Sequence, residues 1–288
     1  MGDNVRWLVV GARGMLGTDL VDRLEADGRE VTALDLPALD ILDLDGTLER
    51  VAGQDVVVNC AAFTDVDQAE EAEPLAFAVN AVGATNLARA AVATGARLVH
   101  ISTDYVFAGD ASTPYAEDAA LAPRSAYGRT KAAGEWGVLA TAPDSIVLRI
   151  AWLYGAHGRN FLATMARLAG ERDTLTVVDD QAGQPTWTVD VADRICALVD
   201  TPVPGGAWHG TSGGSTTWWG FAQAIFSGLA LDPGRVRPVT TEQLSRPAPR
   251  PAYSVLGHDR WAAAGLPAPR DWRESLAEAL PLVVGATS

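Results

Sequence analysis

The sequence predicts an α/β fold: a doubly wound parallel sheet with a smaller, mostly C-terminal α/β lobe. Two observations carry this. Short apolar runs alternate with helix-length stretches through the first half of the chain, and a glycine-spaced turn follows the first run. Strands buried on both faces read as continuous Val/Ile/Leu runs, and helix-length spacers between them imply right-handed crossovers.

The elements follow in order. Trp7-Leu8-Val9-Val10 is a buried strand ending at Gly11, and Met15 to Ala26 reads as the first helix. Glu30–Leu34 forms a second strand ending at Asp35, and Asp55–Asn59 a third. The Ala-rich stretch Asn80–Thr94 is helical, followed by a strand at Arg97–Ile101. Ser125–Glu135 reads as a helix and Ser145–Ile150 as another strand. Beyond residue 152 the texture changes: tryptophans cluster at 152, 187, 208, 218 and 219, and Pro/Gly-rich segments appear around 201–214 and 246–251. Residues 174–180 read as a strand and 188–200 as a helix. The expected division is a nucleotide-binding domain over 1–152, to which the chain returns around 188–215, and a lobe built from 153–187 and 216–288.

Composition narrows the function. The 288 residues carry 22 basic and 36 acidic side chains, a formal charge of −14, with 48% hydrophobic residues. So acidic a chain is repelled by phosphate backbones and anionic lipid, which argues against nucleic-acid and membrane partners. No apolar run approaches the roughly 18 residues of a membrane span, and no secretory signal is evident. Two cysteines, Cys60 and Cys196, supply no disulfide framework, so a cytoplasmic location is expected. The four histidines are not spaced as ligand pairs, so no metal is expected.

Gly11-Ala12-Arg13-Gly14-Met15-Leu16-Gly17 links the first strand to the first helix. Glycines there let backbone approach a pyrophosphate, and the helix N-terminus offers unpaired N–H groups and a positive dipole end. With strand, turn, helix and a following acid in this order, the pattern is that of a Rossmann dinucleotide site. Asp35 stands where an acid bonds the adenosine ribose, which favours NADH, whereas Arg13 is placed to pair a 2′-phosphate. The balance points to NADPH, with NADH as the alternative.

Tyr127-Gly128-Arg129-Thr130-Lys131 puts a phenol and an ammonium on one helix face at i,i+4. Lys131 is the single lysine in the chain. A neighbouring ammonium favours the phenolate, so the expectation is a tyrosine acidified by roughly three units, worth about 4 kcal/mol. Tyr127 would protonate a carbonyl oxygen as hydride reaches its carbon. Thr103, closing the run Ile101-Ser102-Thr103, faces the crevice at the strand's carboxyl end and can donate to the same carbonyl. Cys60 reads as a small buried filler.

These residues resemble the extended short-chain dehydrogenase/reductases, and within them the dTDP-4-dehydrorhamnose reductase family. The likeness runs nearly end to end, through GARGMLG, VNCAAFTDVDQAE (58–70), STDYVF (102–107), YGRTK (127–131), RIAWLYG (149–155), DDQAGQPT (179–186) and RPAYSVL (250–256). It implies NADPH-dependent reduction of the C4 ketone of a dTDP-4-keto-6-deoxyhexose, with Thr103, Tyr127 and Lys131 catalytic. It also implies a cofactor lined by Gly11, Arg13, Gly14, Met15, Leu16, Gly17, Asp35, Asp40, Ile41, Ala61, Ala62, Thr64, Tyr127 and Lys131. The sugar-nucleotide pocket would be shaped by Val66, Thr103, Tyr105, Tyr127, Trp152, Asn160, Gln184 and Arg250. Tyr105 occupies the place where nucleotide-sugar dehydratases resemble S-T-D-E-V, so a basic glutamate is missing and elimination is disfavoured. An epimerase, which uses the same Tyr and Lys with a retained cofactor, or a non-catalytic NADP-binding regulatory subunit, is the alternative; the intact Thr103–Tyr127–Lys131 set argues for an enzyme over the regulatory subunit. Tyr253 and Val255 depart from the family's R-P-x-N-S-x-L, which leaves the particular sugar open. Relatives bridged by magnesium use acids; Asp19 matches one, but Val189 stands where another is expected, so no metal bridge is predicted and the chain is a monomer or homodimer.

Overall fold

The computed structural model describes residues 5–286. In chain order, β1 (Arg6–Val10), α1 (Met15–Ala26), β2 (Glu30–Leu34), α2 (Leu44–Val51) and β3 (Val56–Asn59) open the fold. Two short helices, α3 (Gln68–Glu71) and α4 (Glu73–Phe77), lead through a π-helical turn (Ala78–Gly83) into α5 (Ala84–Thr94). Then come β4 (Arg97–Thr103), α6 (Ala126–Thr141) and β5 (Ile146–Ile150). The rest comprises β6 (Leu153–Tyr154), α7 (Phe161–Glu171), β7 (Leu175–Val178), β8 (Ala182–Gly183), β9 (Thr186–Trp187), α8 (Thr188–Asp200), β10 (Gly206–His209), β11 (Thr216–Thr217), α9 (Trp218–Gly228), β12 (Val236–Val239), α10 (Asp259–Ala263) and α11 (Trp272–Ala286).

Six strands form one parallel sheet in the order β10-β5-β4-β3-β1-β2. The order reverses between β1 and β3, the switch point beside which doubly wound sheets bind ligands. Alternation along β1 divides the core. Trp7 and Val9 face α1 and α8 on one side, while Leu8 and Val10 face the α5 and α6 layer on the other. Both layers are apolar because a parallel sheet has no wet face. Burying a Leu- or Val-sized side chain contributes about 1.5–3 kcal/mol, so packing on both faces stabilises the sheet.

The helical run Glu73–Thr94 corrects one expectation: its mean hydropathy of 1.3 over an 18-residue window is enough, by length and composition, to cross a membrane. It is more than half buried, packed against α2 and α6, so its apolarity serves the core. A second core, built from α7, α9, α11 and the β7–β12 pair, gathers Leu162, Phe221, Phe226, Trp272 and Leu280. The lobe also includes two-stranded pairings of β6 with β9 and β11 with β8.

Candidate active site

The glycine turn opens the crevice. Gly11 has φ +75°, and a Cβ on it would stand 2.6 Å from the Ala61 nitrogen. A Cβ on Gly17 would lie 2.2 Å from the Gly11 carbonyl oxygen, so α1 seats against the turn only because position 17 is bare. Gly14 is the N-cap and has no side chain to cover the first amides of Met15 and Leu16. This bare helix N-terminus beside the strand ends fits the diphosphate of a dinucleotide.

Asp35 orders the turn from the end of β2. Its carboxylate accepts from the Leu36 amide at 2.7 Å and the Arg13 amide at 3.0 Å, fastening the turn to the end of β2. The Arg13 side chain is exposed and reaches the Leu36 carbonyl at 3.5 Å. Asp40 caps Leu42 at 2.9 Å. Ile41 is buried and meets Gly83 of the π turn, where a Cβ would come within 2.5 Å of its Cδ1. Ala61 donates to Asn59 Oδ1 at 3.1 Å, Ala62 is half-buried beside it, and Thr64 is exposed.

Opposite the turn, Ser125 caps α6 by accepting from Gly128 at 3.0 Å, which puts Tyr127 in the helix's first turn. A Cβ on Gly128 would stand 2.3 Å from the Tyr105 carbonyl oxygen, so α6 closes onto the end of β4 at a glycine. The Tyr127 phenol hydrogen-bonds Thr103, and its ring meets that of Tyr105 edge-on at 5.7 Å. Thr103, the last residue of β4, donates to Asp104 Oδ1 at 3.0 Å. Thr103, Tyr105, Tyr127 and Lys131 therefore converge at one strand end.

The electrostatics correct the expected acidification. Burial pushes the Tyr127 phenol up to about 12; only its bond to Thr103 opposes this. Lys131 is buried and donates to the Ile101 carbonyl at 2.5 Å, so the ammonium is engaged with backbone rather than with the phenol. Burial brings the Lys131 ammonium down to about 8, against an opposing pull from Glu135. At neutral pH the pair is a neutral phenol beside a cation, the protonation state a proton donor needs.

Several groups here carry no sequence signal read above. Asp104 is buried beside Ser254, and desolvation pushes its carboxyl up to about 6. Asn80, brought inward by the π turn, accepts from Phe63 N at 2.8 Å and donates to Phe63 O at 3.1 Å and Thr130 Oγ1 at 3.0 Å. It thereby ties the 61–64 segment to α6. Glu135, one turn past Lys131, accepts from Ser102 Oγ at 2.5 Å and pairs with buried Arg149 at 2.8 Å. Its i,i+4 spacing from Lys131 was the available signal.

The residues expected to shape the sugar-nucleotide pocket separate into two groups. Arg250 lines a cleft of about 150 Å³ with Tyr105, Phe107, Arg124, Ser125 and Pro251, and Asp67 holds its guanidinium at 2.8 Å. Val66 is half-buried next to that aspartate. Trp152 is half-buried past the end of β5. Asn160 and Gln184, by contrast, are held by bonds within the protein. The Asn160 amide caps α7, accepting from Ala163 at 3.0 Å and donating to Gly155 O at 2.8 Å. Gln184 is buried, donates to Ser212 O and Leu256 O, and accepts from Thr211 Oγ1 and Leu256 N, so both its amide ends are satisfied by protein. Asp19 is bonded to Thr188 and lies near Asp22 and His157.

A family model described as "RmlD substrate binding domain" matches residues 5–284. The chain is 51% identical to a probable dTDP-4,6-dihydroxy-2-methyloxan-3-one 4-ketoreductase of Streptomyces antibioticus, over 98% of this chain and 97% of that one. It is 51% identical to a dTDP-4-dehydrorhamnose reductase of Streptomyces griseus, covering 97% of this chain and 94% of that one. Among solved structures, a dTDP-4-dehydrorhamnose reductase of Bacillus anthracis in complex with NADP superposes with a TM-score of 0.93 at 38% identity, covering 96% and 99% of the two chains. The chain belongs to the RmlD substrate-binding-domain family, alongside the dTDP-4-dehydrorhamnose reductases that it matches over almost its whole length.

Proposed function

We propose that this protein is an NADPH-dependent oxidoreductase that reduces the C4 ketone of a dTDP-4-keto-6-deoxyhexose. The observation that carries the reading is the Tyr127 phenol bonded to Thr103 at the carboxyl end of β4, the same end of the parallel sheet at which the glycine turn leaves β1. The names of the relatives supply the sugar nucleotide, and the NADP complex of the Bacillus anthracis protein supports the cofactor.

Gly11–Gly17 and the first turn of α1 hold the diphosphate, and the exposed Arg13 guanidinium is the partner for a 2′-phosphate. The NADP complex of the Bacillus anthracis relative supports that choice. The bound nicotinamide supplies the hydride. Thr103 and Tyr127 hold the ketone oxygen between two hydroxyls, and Tyr127 passes its phenolic proton to that oxygen as negative charge develops there. Lys131 offsets the charge left on the phenolate at a site from which burial has removed screening water. Arg250 and Tyr105 line the cleft that receives the nucleotide portion. Tyr105 offers a phenol, which burial pushes well above its ordinary value, and no carboxylate base, so reduction rather than elimination is the chemistry served.

Tyr127→Phe tests the assignment. NADPH binding by fluorescence titration should be retained, while kcat/KM for the ketosugar falls by about 10²–10⁴. Full activity in that variant would remove Tyr127 from the role of proton donor.

A further inference from the structure

Trp152 stands two residues beyond β5, whose last residue Ile150 pairs with Thr103. It therefore flanks the reacting end of the sheet just where the chain leaves for the lobe. Its φ is +46°, in the left-handed region that a bulky side chain occupies only when its surroundings over-determine it. Two neighbours do so. The indole of Trp218, the first residue of α9, lies parallel to that of Trp152, with centroids 3.6 Å apart and planes inclined by 9°. Phe161 of α7 backs Trp218 at 4.6 Å. Gly183 in β8 then presents bare backbone to the same ring: a Cβ there would stand 2.5 Å from Cε2, 2.6 Å from Cζ2 and 2.7 Å from Nε1 of Trp152. Two segments far apart in sequence thus grip one indole, and no step of the reduction uses Trp218 or Gly183.

The geometry points to Trp218 and Gly183 as positioning residues that set the Trp152 indole as a wall for the hexose ring of the nucleotide sugar. The inference rests on the ketoreductase reading and assigns the part of the site that distinguishes sugar from nucleotide. An aromatic wall acts through shape and dispersion, so its value depends on where it stands; a displacement on the order of 1 Å misaligns the carbonyl from its proton donor. Freed from its grip, Trp152 relaxes out of the left-handed region and its ring swings with the backbone. The same packing explains the glycine of the Asp180-Gln181-Ala182-Gly183-Gln184 segment by a tertiary contact rather than by a turn: Gly183 lies in a strand, and its φ is not left-handed.

Trp218→Leu, Trp218→Phe and Gly183→Ala form the test, with three measurements on each. These are KM and kcat for the ketosugar, the dissociation constants of NADPH, dTDP and a dTDP-6-deoxyhexose by calorimetry, and the far-UV circular-dichroism couplet of the stacked indoles. W218L and G183A should raise the sugar KM and the dTDP-6-deoxyhexose dissociation constant about tenfold, or 1.4 kcal/mol, while NADPH and dTDP bind as before. The couplet should vanish in W218L and shrink in G183A, and W218F should restore the sugar affinity. G183A leaves the lobe core around Trp218 intact, so it decides the matter even if W218L fails to fold. Unchanged sugar affinity in G183A with an altered couplet would overturn the proposal, as would a parallel loss of dTDP and NADPH binding. A wild-type protein that binds the dTDP-6-deoxyhexose more tightly than dTDP yet reduces no ketosugar would sink the ketoreductase reading and leave this one standing.

Discussion

Replacing Lys131 with methionine should make the protein more stable and nearly inactive. The ammonium is buried against the Ile101 carbonyl, with Glu135 as the carboxylate that pulls the other way. Taking it from its ordinary 10.5 down to about 8 corresponds to roughly 3 kcal/mol of unfavourable desolvation in the native state at neutral pH. Methionine keeps the length and apolar volume of the chain but loses the hydrogen bond, a cost of about 1 kcal/mol. The net expectation is a gain of about 2 kcal/mol at pH 7. The sign of the pH dependence follows from linkage. Because the folded pKa lies below the unfolded one, the penalty is fully present below about pH 8 and disappears as pH rises to about 10.5, where both states of the wild type are neutral. Urea denaturation of both proteins at pH 7 and again near pH 10.5 measures this directly. The K131M advantage should be clear in the first series and absent in the second, with kcat/KM down by at least about 10². A variant less stable than wild type at pH 7, or an advantage that does not change with pH, would show that the lysine's charge is compensated and that burial is not what depresses it.

Two further outcomes follow from the surroundings of that lysine. Glu135→Gln removes the carboxylate that pairs with the buried Arg149 guanidinium and accepts from Ser102, so stability should fall by about 3–5 kcal/mol, read as a lower urea midpoint. An unchanged midpoint would mean that Arg149 is satisfied by the Glu117 carbonyl and His209 alone. Burial pushes the thiols of Cys60 and Cys196 up to about 12 and about 11, so neither should react with a disulfide reagent at pH 8 until the chain is unfolded. Prompt labelling of Cys60 in the native protein would show that the crevice floor is open to water.

Stability and function pull apart at this site for one physical reason. The ionisable groups gathered at this strand end, Tyr127, Lys131 and Asp104, are each buried, and each is pushed toward its neutral form. The surrounding sheet supplies the apolar burial that tolerates them, with Ser102, Glu135 and Arg149 forming a satisfied polar layer just beneath. Removing any one of the buried charges releases a desolvation penalty or exposes an unpaired partner, and which of these happens sets the sign of the mutation's effect.

The strands, the turn at Gly11–Gly17 and the Tyr127–Lys131 spacing were legible in the sequence because each depends on short-range regularity: apolar runs of strand length, glycines where no side chain fits, and an i,i+4 repeat. What those side chains touch was decided only by the fold. Lys131 shares a helix face with Tyr127 yet bonds the Ile101 carbonyl on β4. Asp35 has the position of a ribose ligand, but the loop places two amides on its carboxylate. Asn160 and Gln184 match the family's pattern, but capping and cross-segment bonds take up their amides. Asn80 and the Trp152–Trp218–Gly183 grip leave no local trace, since their partners lie tens of residues away and meet only when helix and lobe close over the sheet. Residue types and spacings along the chain determine which groups are present on each element; burial and long-range contact determine which of them remain free to act.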